Sequence, residues 1–206
     1  MTPRVASPRL HAALLAFVAA VMAWSAIHPR DYFTWVLEVA PVPIALAAIA
    51  IAWPRWRFTP LVLVLVAIHA AILMVGGKYT YAHVPLFDWI RDAIGGTRND
   101  YDRLGHFAQG FVPALVAREI LLRRRVVSPG PWLFFLVTCV CLAVSAAYEL
   151  VEWAAAMTSG EAADAFLGTQ GDPWDTQWDM FTALCGAIIA QVALGRAHDR
   201  LLGVHP

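Results

Sequence analysis

Three short stretches of this chain place acidic residues and a histidine at helical spacing within apolar sequence. The pairs are Asp102 with His106, Glu149 with Glu152, and Asp175 with Asp179. Residues three or four apart share one face of a helix. A carboxylate and an imidazole on one face can bind a metal together, or the carboxylate can fix the tautomer of the histidine.

These six residues are the predicted ligands of a divalent cation. A site rich in oxygen ligands with one histidine suits Mg, Mn, Ca or Zn. Asp102, His106, Glu149 and Glu152 are also the predicted catalytic residues. Two carboxylates as close as Glu149 and Glu152 cannot both stay ionised in a low dielectric without a cation, a shared proton or an arginine. Arg103 is the candidate arginine, and a structural ion pair between Arg103 and Glu152 is the alternative.

Other polar residues near these pairs are predicted to contact a substrate. They are Arg103, Lys78, Gln109, Tyr148 and Gln177. Arg103 and Lys78 would receive negative charge on the substrate, although Lys78 also fits an ordinary membrane-boundary lysine. Asp100 and Asp175 fit helix N-caps, Asp172 before Pro173 fits a turn, and Glu38 fits an ion pair with a loop cation. His69 fits a packing histidine whose hydrogen bonds are satisfied.

Composition indicates the membrane environment that must hold these residues. The 206 residues are 60% hydrophobic and 15% charged, with a formal net charge of zero. Neutral charge, without a basic stretch and interleaved aromatics, argues against nucleic acid as a partner. We predict an all-α, polytopic membrane protein that forms a single domain over residues 1–206. About six transmembrane helices are expected near Arg9–Ile27, Thr34–Trp53, Thr59–Val75, Tyr101–Leu122, Pro131–Met157 and Thr176–Leu194.

The arginines and lysines predict the orientation of these spans. Ten of the fifteen fall in one set of loops and beside the two chain ends, which places both termini in the cytoplasm, N-in and C-in. Thirteen of the fifteen acidic residues then lie on the outer side, and only Glu119 and Asp199 lie on the inner side. Because acids contribute little to orientation, this asymmetry predicts an outward-facing polar site.

Prolines and loop composition predict how the site is bordered. Pro41 and Pro43 should kink the second span. The stretch Val84–Ile94 fits a short helix on the membrane surface, and the long loop Thr158–Asp175 contains several helix-breaking residues. Both segments border the acidic site and could cover it. The three cysteines lie in mid-span and fit inert, buried thiols.

Three longer motifs resemble the YjdF family of bacterial inner-membrane proteins. The motifs are Asn-x-Tyr-Asp-Arg-Leu-Gly-His-Phe-Ala-Gln-Gly-Phe from Asn99, Tyr-Glu-Leu-Val-Glu-Trp from Tyr148, and Leu-Gly-Thr-Gln-Gly-Asp-Pro-Trp-Asp-Thr-Gln-Trp-Asp-Met from Leu167. The resemblance covers nearly the whole chain and implies a six-span protein of the bacterial inner membrane, without implying a reaction. A more distant similarity links Asp102-Arg103-x-x-His106-Phe107 and the helix of Asp179 to VanZ-like membrane proteins, which are associated with glycopeptide-antibiotic tolerance.

Three functional hypotheses follow from these observations. The first is a metal-dependent enzyme acting at the outer leaflet on a lipid or lipid-linked substrate, with membrane lipids as partners. The second is a small ion- or proton-coupled transporter, although no internal repeat is visible. The third is a non-catalytic binding or assembly factor whose polar residues lock the helices together. The surplus of acids over nearby cations favours the first.

Overall fold

The computed structural model describes residues 3–159 and 169–204. Apolar runs form the helices, and several of these helices begin at a proline. Across these residues the fold is all-helical, without strands. The helices are α1 (Pro8–Ala26), α2 (Tyr32–Val39), α3 (Pro41–Ala52), α4 (Pro60–Lys78), α5 (Pro85–Ile94), α6 (Tyr101–Arg123), α7 (Pro131–Ser159) and α8 (Asp175–Leu202). Half of the predicted loop Thr158–Asp175, residues 160–168, lies outside the described residues.

The predicted polytopic all-α fold of about six spans is confirmed. Five segments of the described chain are long and apolar enough to cross a membrane, namely α1, α2 with α3, α4, α7 and α8. The sixth span, α6, carries five charged residues and is correspondingly less apolar. The predicted kink is the break at Ala40, where α2 ends and Pro41 begins α3 without a backbone N–H to donate.

The start of the second span is fixed by a side-chain cap. The Oδ2 atom of Asp31 accepts a hydrogen bond of 2.6 Å from the backbone N–H of Thr34. The side-chain and backbone hydrogen bonds from Thr34 lower the pKa of Asp31, because they stabilise the carboxylate. The cap therefore satisfies one of the free N–H groups at the start of α2.

The central helix of the bundle is α6, which packs against α4, α7 and α8. Its closest contact is with α8, through Gly110 and Gly186. A Cβ atom on Gly110 would overlap the backbone of Ala183, and one on Gly186 would overlap the backbone of Phe107 and Phe111. In a membrane, where apolar burial adds little between helices, small residues of this kind allow the close packing that holds helices together.

The two chain ends lie at the same end of the bundle, which we call the terminal end. The backbone N–H of Arg4 donates a 2.8 Å hydrogen bond to the carbonyl of Leu201. Adjacent termini agree with an even number of crossings. The opposite end, which begins α6 and α8 and holds Asp102 and Asp179, is called the acidic end below. The assignment of the acidic end to the outer side remains a prediction from charge.

The predicted short helix after the third span is α5, and it ends at Gly95 in the left-handed conformation. None of its residues is buried, and Leu86, Trp89 and Ile94 are more than half exposed. An exposed apolar face on a helix at the acidic end fits a position on the membrane surface.

We predict that Gly186→Ala destabilises the protein, because the added methyl group must separate α6 from α8. Overpacking at such a contact costs about 1–3 kcal/mol. The matched control is Gly195→Ala in the same helix, where a Cβ would meet only the Nε atom of Arg118, at 4.0 Å. The control should be neutral or up to about 1 kcal/mol more stable, because alanine favours helix. Denaturant unfolding of the detergent-solubilised variants measures both, and equal stabilities would contradict the close contact.

Candidate functional site

His106 lies at the centre of a buried group of carboxylates at the acidic end. Its Nε2 atom is 3.5 Å from Oδ1 of Asp102 and 3.9 Å from Oδ1 of Asp179. Its Nδ1 atom is 3.2 Å from Oε1 of Gln109 and 3.6 Å from Oε1 of Glu149. An Nδ1–H donated to the Gln109 amide oxygen would leave the Nε2 lone pair facing the two aspartates.

Asp102, His106 and Asp179 each offer one ligand atom to a common point. These three atoms lie within 4.8 Å of one another, and all three residues are buried. Asp102 and His106 come from successive turns of α6, and Asp179 comes from the second turn of α8. The contact between Gly110 and Gly186 brings the two helices close enough for their side chains to converge. One histidine with two carboxylates is a donor set that fits a divalent cation.

Two arginines lie against the aspartates of this group. Nη2 of Arg103 is 2.7 Å from Oδ1 of Asp175 and 3.2 Å from Oδ2 of Asp172, and Nη1 of Arg103 donates to Asp179. Nη2 of Arg98 is 2.7 Å from Oδ1 of Asp175 and 3.2 Å from Oδ2 of Asp102. The arginines therefore connect the start of α6 to the start of α8.

A cavity of about 180 Å³ opens beside His106. Glu38, Asp102, Tyr148 and Glu152 are among its lining residues, and the hydroxyl of Tyr148 donates a 3.1 Å hydrogen bond to Oε2 of Glu38. All three carboxylates are buried, with 5–9% of their surface exposed. The cavity is thus a small acidic chamber within the helix bundle, bordered by α2, α4, α6 and α7.

Two glycines make room for an aromatic wall of this chamber. A Cβ on Gly76 would overlap the ring of Tyr81, and one on Gly105 would lie 3.0 Å from the same ring. Thr80 and Tyr81 both adopt the left-handed backbone conformation, at φ 52° and 53°. Such conformations cost about 1–3 kcal/mol each and cluster at functional sites. Burial holds the pKa of Tyr81 well above its usual value, so its hydroxyl stays protonated.

Asn99 holds the start of α6 in place. Its amide nitrogen donates to the carbonyl of Val84 at 3.1 Å and to Oδ1 of Asp88 at 2.8 Å. Its backbone N–H and C=O groups bond to the side chain of Gln170, at 3.0 and 2.9 Å. Because Asn99 is fully buried, these bonds tie α5 and the segment before α8 to the first turn of α6.

Negative charge exceeds positive charge in this group. Two arginines, Arg98 and Arg103, are the cations within 4 Å of its carboxylates apart from His106, among the residues that the structure describes. The group contains seven carboxylates: Glu38, Asp102, Glu149, Glu152, Asp172, Asp175 and Asp179. In the described chain, neither Glu149 nor Glu152 has an arginine or lysine within 4 Å, and Oε1 of Glu149 has no hydrogen-bond partner. Such a surplus calls for a bound cation or for protons.

A second buried polar cluster, at the terminal end, is balanced in charge. Glu119 accepts hydrogen bonds from Thr59, from Arg123 at 2.7 Å and from Nε2 of His198 at 3.1 Å. Arg118 pairs with Asp199 at 2.7 Å. Two acids therefore meet two arginines, and Glu119, Thr59 and His198 are fully buried. This cluster joins α4, α6 and α8 and fits a structural role.

The structure brings most of the predicted site residues together. The set that meets around His106 is Asp102, Arg103, Gln109, Tyr148, Glu149, Glu152, Asp175 and Asp179. Arg103 pairs with aspartates of α8 instead of the alternative partner, Glu152.

Two predicted substrate-binding residues lie away from the chamber. The amino group of Lys78 donates to the carbonyls of Trp24 and Ile27 and lies 4.9 Å from the centre of the Trp24 ring. Lys78 therefore caps carbonyl groups at the C-terminal end of α1. Gln177 is exposed and borders an open depression at the start of α8.

The capping interpretations have mixed outcomes. Asp100 occupies the N-cap position of α6, but its side chain makes no capping hydrogen bond. The N-cap of α8 is Trp174, so Asp175 lies in the first turn, where it meets the two arginines. Asp172 does form the predicted turn, since its Oδ1 atom accepts a hydrogen bond from the N–H of Trp174 at 2.9 Å.

Sequence reasoning missed three members of the site. Glu38 was expected to pair with a loop cation, but it lines the chamber and accepts from Tyr148. Arg98 was not among the predicted site residues, although its spacing of four residues from Asp102 was a usable signal. Tyr81 had a weaker signal in Gly76, whose missing side chain accommodates the Tyr81 ring.

Comparison with known proteins identifies a membrane-protein family and a relative in the inner membrane. Residues 10–200 match the family described as "Predicted membrane protein (DUF2238)". The chain is 51% identical over 182 residues to the inner membrane protein YjdF of Escherichia coli (strain K12). This match covers 88% of the chain and 87% of the relative. No solved structure matches the chain.

We predict opposite effects when the buried carboxylates at the two ends are neutralised. Glu119→Gln should destabilise the protein by about 3 kcal/mol, because Arg123 and His198 lose the carboxylate that both of them contact. Glu152→Gln should leave stability unchanged or raise it by about 1 kcal/mol in metal-free buffer, because it removes a buried charge without an arginine partner. Unfolding of both variants beside the wild type provides the test, and a large loss in Glu152→Gln would contradict the proposed charge surplus.

Proposed function

This chain belongs to the DUF2238 family of membrane proteins and lies in the inner membrane, and we propose that it is a metal-dependent enzyme acting on a lipid or lipid-linked substrate. The observation that carries the proposal is the convergence of Asp102, His106 and Asp179 beside Glu149 and Glu152, which have no arginine partner among the described residues. The small chamber next to this convergence leaves room for a reacting group.

The residues around the convergence fit a divalent cation. Asp102, His106 and Asp179 would hold it, and Gln109 would orient His106 through Nδ1. Oε1 of Glu149 is buried without a hydrogen-bond partner in the described chain, which fits a group that awaits a ligand or a proton. A bound metal of this kind activates water and polarises phosphoryl or acyl oxygens.

The other side chains supply acid–base and binding functions. Glu149 and Glu152, buried beside His106, would accept a proton from an attacking water or hydroxyl group. Tyr148 and Tyr81 offer hydroxyl groups that can donate to a developing negative charge. Arg98 and Arg103 hold Asp102, Asp175 and Asp179 in position and limit the repulsion between them. The helix bundle restricts water around the chamber, which strengthens each electrostatic interaction.

Calorimetric titration of Mn²⁺ or Mg²⁺ into the metal-stripped, full-length protein tests the proposal. His106→Ala and Asp179→Asn each remove one of the three converging ligand atoms, and we expect at least tenfold weaker binding in both. Glu149→Gln should weaken binding less, because Glu149 contacts His106 and lies outside the three-atom set.

Asp92→Asn is the matched control for these variants. Asp92 lies at the same end of the bundle, and 68% of its side chain is exposed on α5. Its substitution changes the net charge by the same amount as Asp179→Asn, so it should leave the affinity unchanged. Equal affinities in all variants, or no binding by the wild type, would refute the metal site. Protons on the carboxylates would then balance the surplus negative charge.

A further inference from the structure

An apolar groove runs along the bundle from the acidic chamber towards the terminal end. Its volume is about 710 Å³, and α1, α3, α4 and α6 form its walls. The wall contributed by α3 extends from Pro41 to Trp53, a distance of about 18 Å at 1.5 Å per residue. This is more than half the thickness of the hydrocarbon core, which is about 30 Å. The groove therefore lies at the depth of lipid tails.

The groove and the acidic chamber are adjoining spaces. Four residues line both of them: Pro41, His69, Leu73 and Pro113. Pro113 has no backbone N–H, so the carbonyl of Gln109 lacks its usual helical partner at this junction. A molecule in the groove can therefore place one end against these four residues, directly beside the chamber.

His69 provides a polar group at the junction. The interpretation of His69 as a satisfied packing histidine is wrong, because its Nε2 atom is buried and has no hydrogen-bond partner in the part of the chain that the structure describes. A buried polar atom without a partner costs about 1–3 kcal/mol. Because the ring lines both spaces, a rotation of the side chain would bring this nitrogen to a polar group of a ligand at the junction.

The shape and polarity of the two spaces specify one kind of occupant. The groove is lined almost entirely by aliphatic side chains, including Leu14, Val18, Leu46 and Val116, and fits one hydrocarbon tail. The chamber, at about 180 Å³, has about a quarter of the groove's volume of 710 Å³ and fits a single small polar group. A diacyl phospholipid has a larger headgroup than this chamber can hold.

We propose that the groove binds the tail of a single-tailed lipid, whose small polar end passes His69 and enters the acidic chamber. This inference rests on the proposed enzyme function and names its substrate class. The substrate reaches the site laterally from the bilayer, with its tail pointing to the terminal end. Within the chamber, its polar end lies beside Asp102, His106 and Glu152.

Photocrosslinking in phosphatidylcholine vesicles tests the position of the tail. The probes are two long-chain alkyl phosphates, one with a diazirine near the methyl end and the other with a diazirine near the phosphate. They are added with Mn²⁺, so that the phosphate does not face uncompensated carboxylates. The first should label peptides near His11 and Trp53, and the second should label peptides near His69 and Pro113. Unlabelled alkyl phosphate should compete with both probes, whereas additional diacyl lipid should not. Labelling without saturation would show only bulk lipid and would overturn the proposal.

Two alanines of α3 supply a matched pair of variants. Ala45 is exposed and lines the groove, whereas Ala47 is exposed on the same helix and is not part of the lining. Ala45→Trp should reduce saturable labelling at least fivefold because the indole fills the groove. Ala47→Trp should label like the wild type. Equal labelling of the two variants would refute the assignment of the tail to this groove.

His69→Leu tests the junction and keeps its approximate size. We expect threefold to tenfold weaker binding of the alkyl phosphate, with the tail labelled at the same residues, because one hydrogen bond is lost. Unchanged affinity would overturn the role of His69. Metal titration of the same samples separates the two proposals: saturable groove labelling without metal binding would refute the enzyme, and metal binding without groove labelling would refute the lipid assignment.

Discussion

The backbone contact between α6 and α8 determines both polar clusters of this protein. Gly110 and Gly186 allow the two helices to approach until a methyl group at either position would overlap the opposing backbone. Towards one end of this contact, Asp102 and His106 meet Asp179; towards the other, Glu119 meets His198. Charged side chains can converge inside a membrane protein only where helices are close enough for them to contact one another instead of lipid. Both clusters therefore require the close approach of α6 and α8 at these glycines, because neither cluster can form across a wider gap.

The two clusters share this scaffold but differ in charge balance. Glu119 has an arginine, a histidine and a threonine around it, which is a complete set of partners for a buried carboxylate. Among the described residues, no arginine or lysine lies within 4 Å of Glu149 or Glu152, and the two arginines of that end pair with aspartates. A cluster that served stability alone would gain from neutral side chains at these positions. Buried carboxylates without cationic partners are typical of a site that binds a cation or moves protons.

Helical periodicity predicted much of this arrangement, because a spacing of three or four residues places side chains on one face whatever the tertiary structure. Asp102 with His106, and Asp179, were identified from spacing and converge in the structure. The partner of each charge could not be predicted, since it depends on which helices pack together. Arg103 pairs with aspartates of α8 instead of Glu152, and Lys78 caps the C-terminal end of α1. The sequence could not predict the unpaired Nε2 atom of His69 either, because only the packed bundle shows that no partner from the described residues reaches it.

The position of the chamber relative to the groove restricts how a substrate could arrive. Asn99 ties α5 and Gln170 across the start of α6, so the bundle is partly covered where an aqueous substrate would approach. The groove instead adjoins the chamber through His69 and Pro113, at the depth of lipid tails. A hydrocarbon tail is already dissolved in the bilayer, so moving it into the groove requires little desolvation. The polar end must leave water or headgroups, and polar contacts inside the chamber would offset that cost. Access from the bilayer therefore requires polar partners inside the bundle, and the buried carboxylates and His69 supply them.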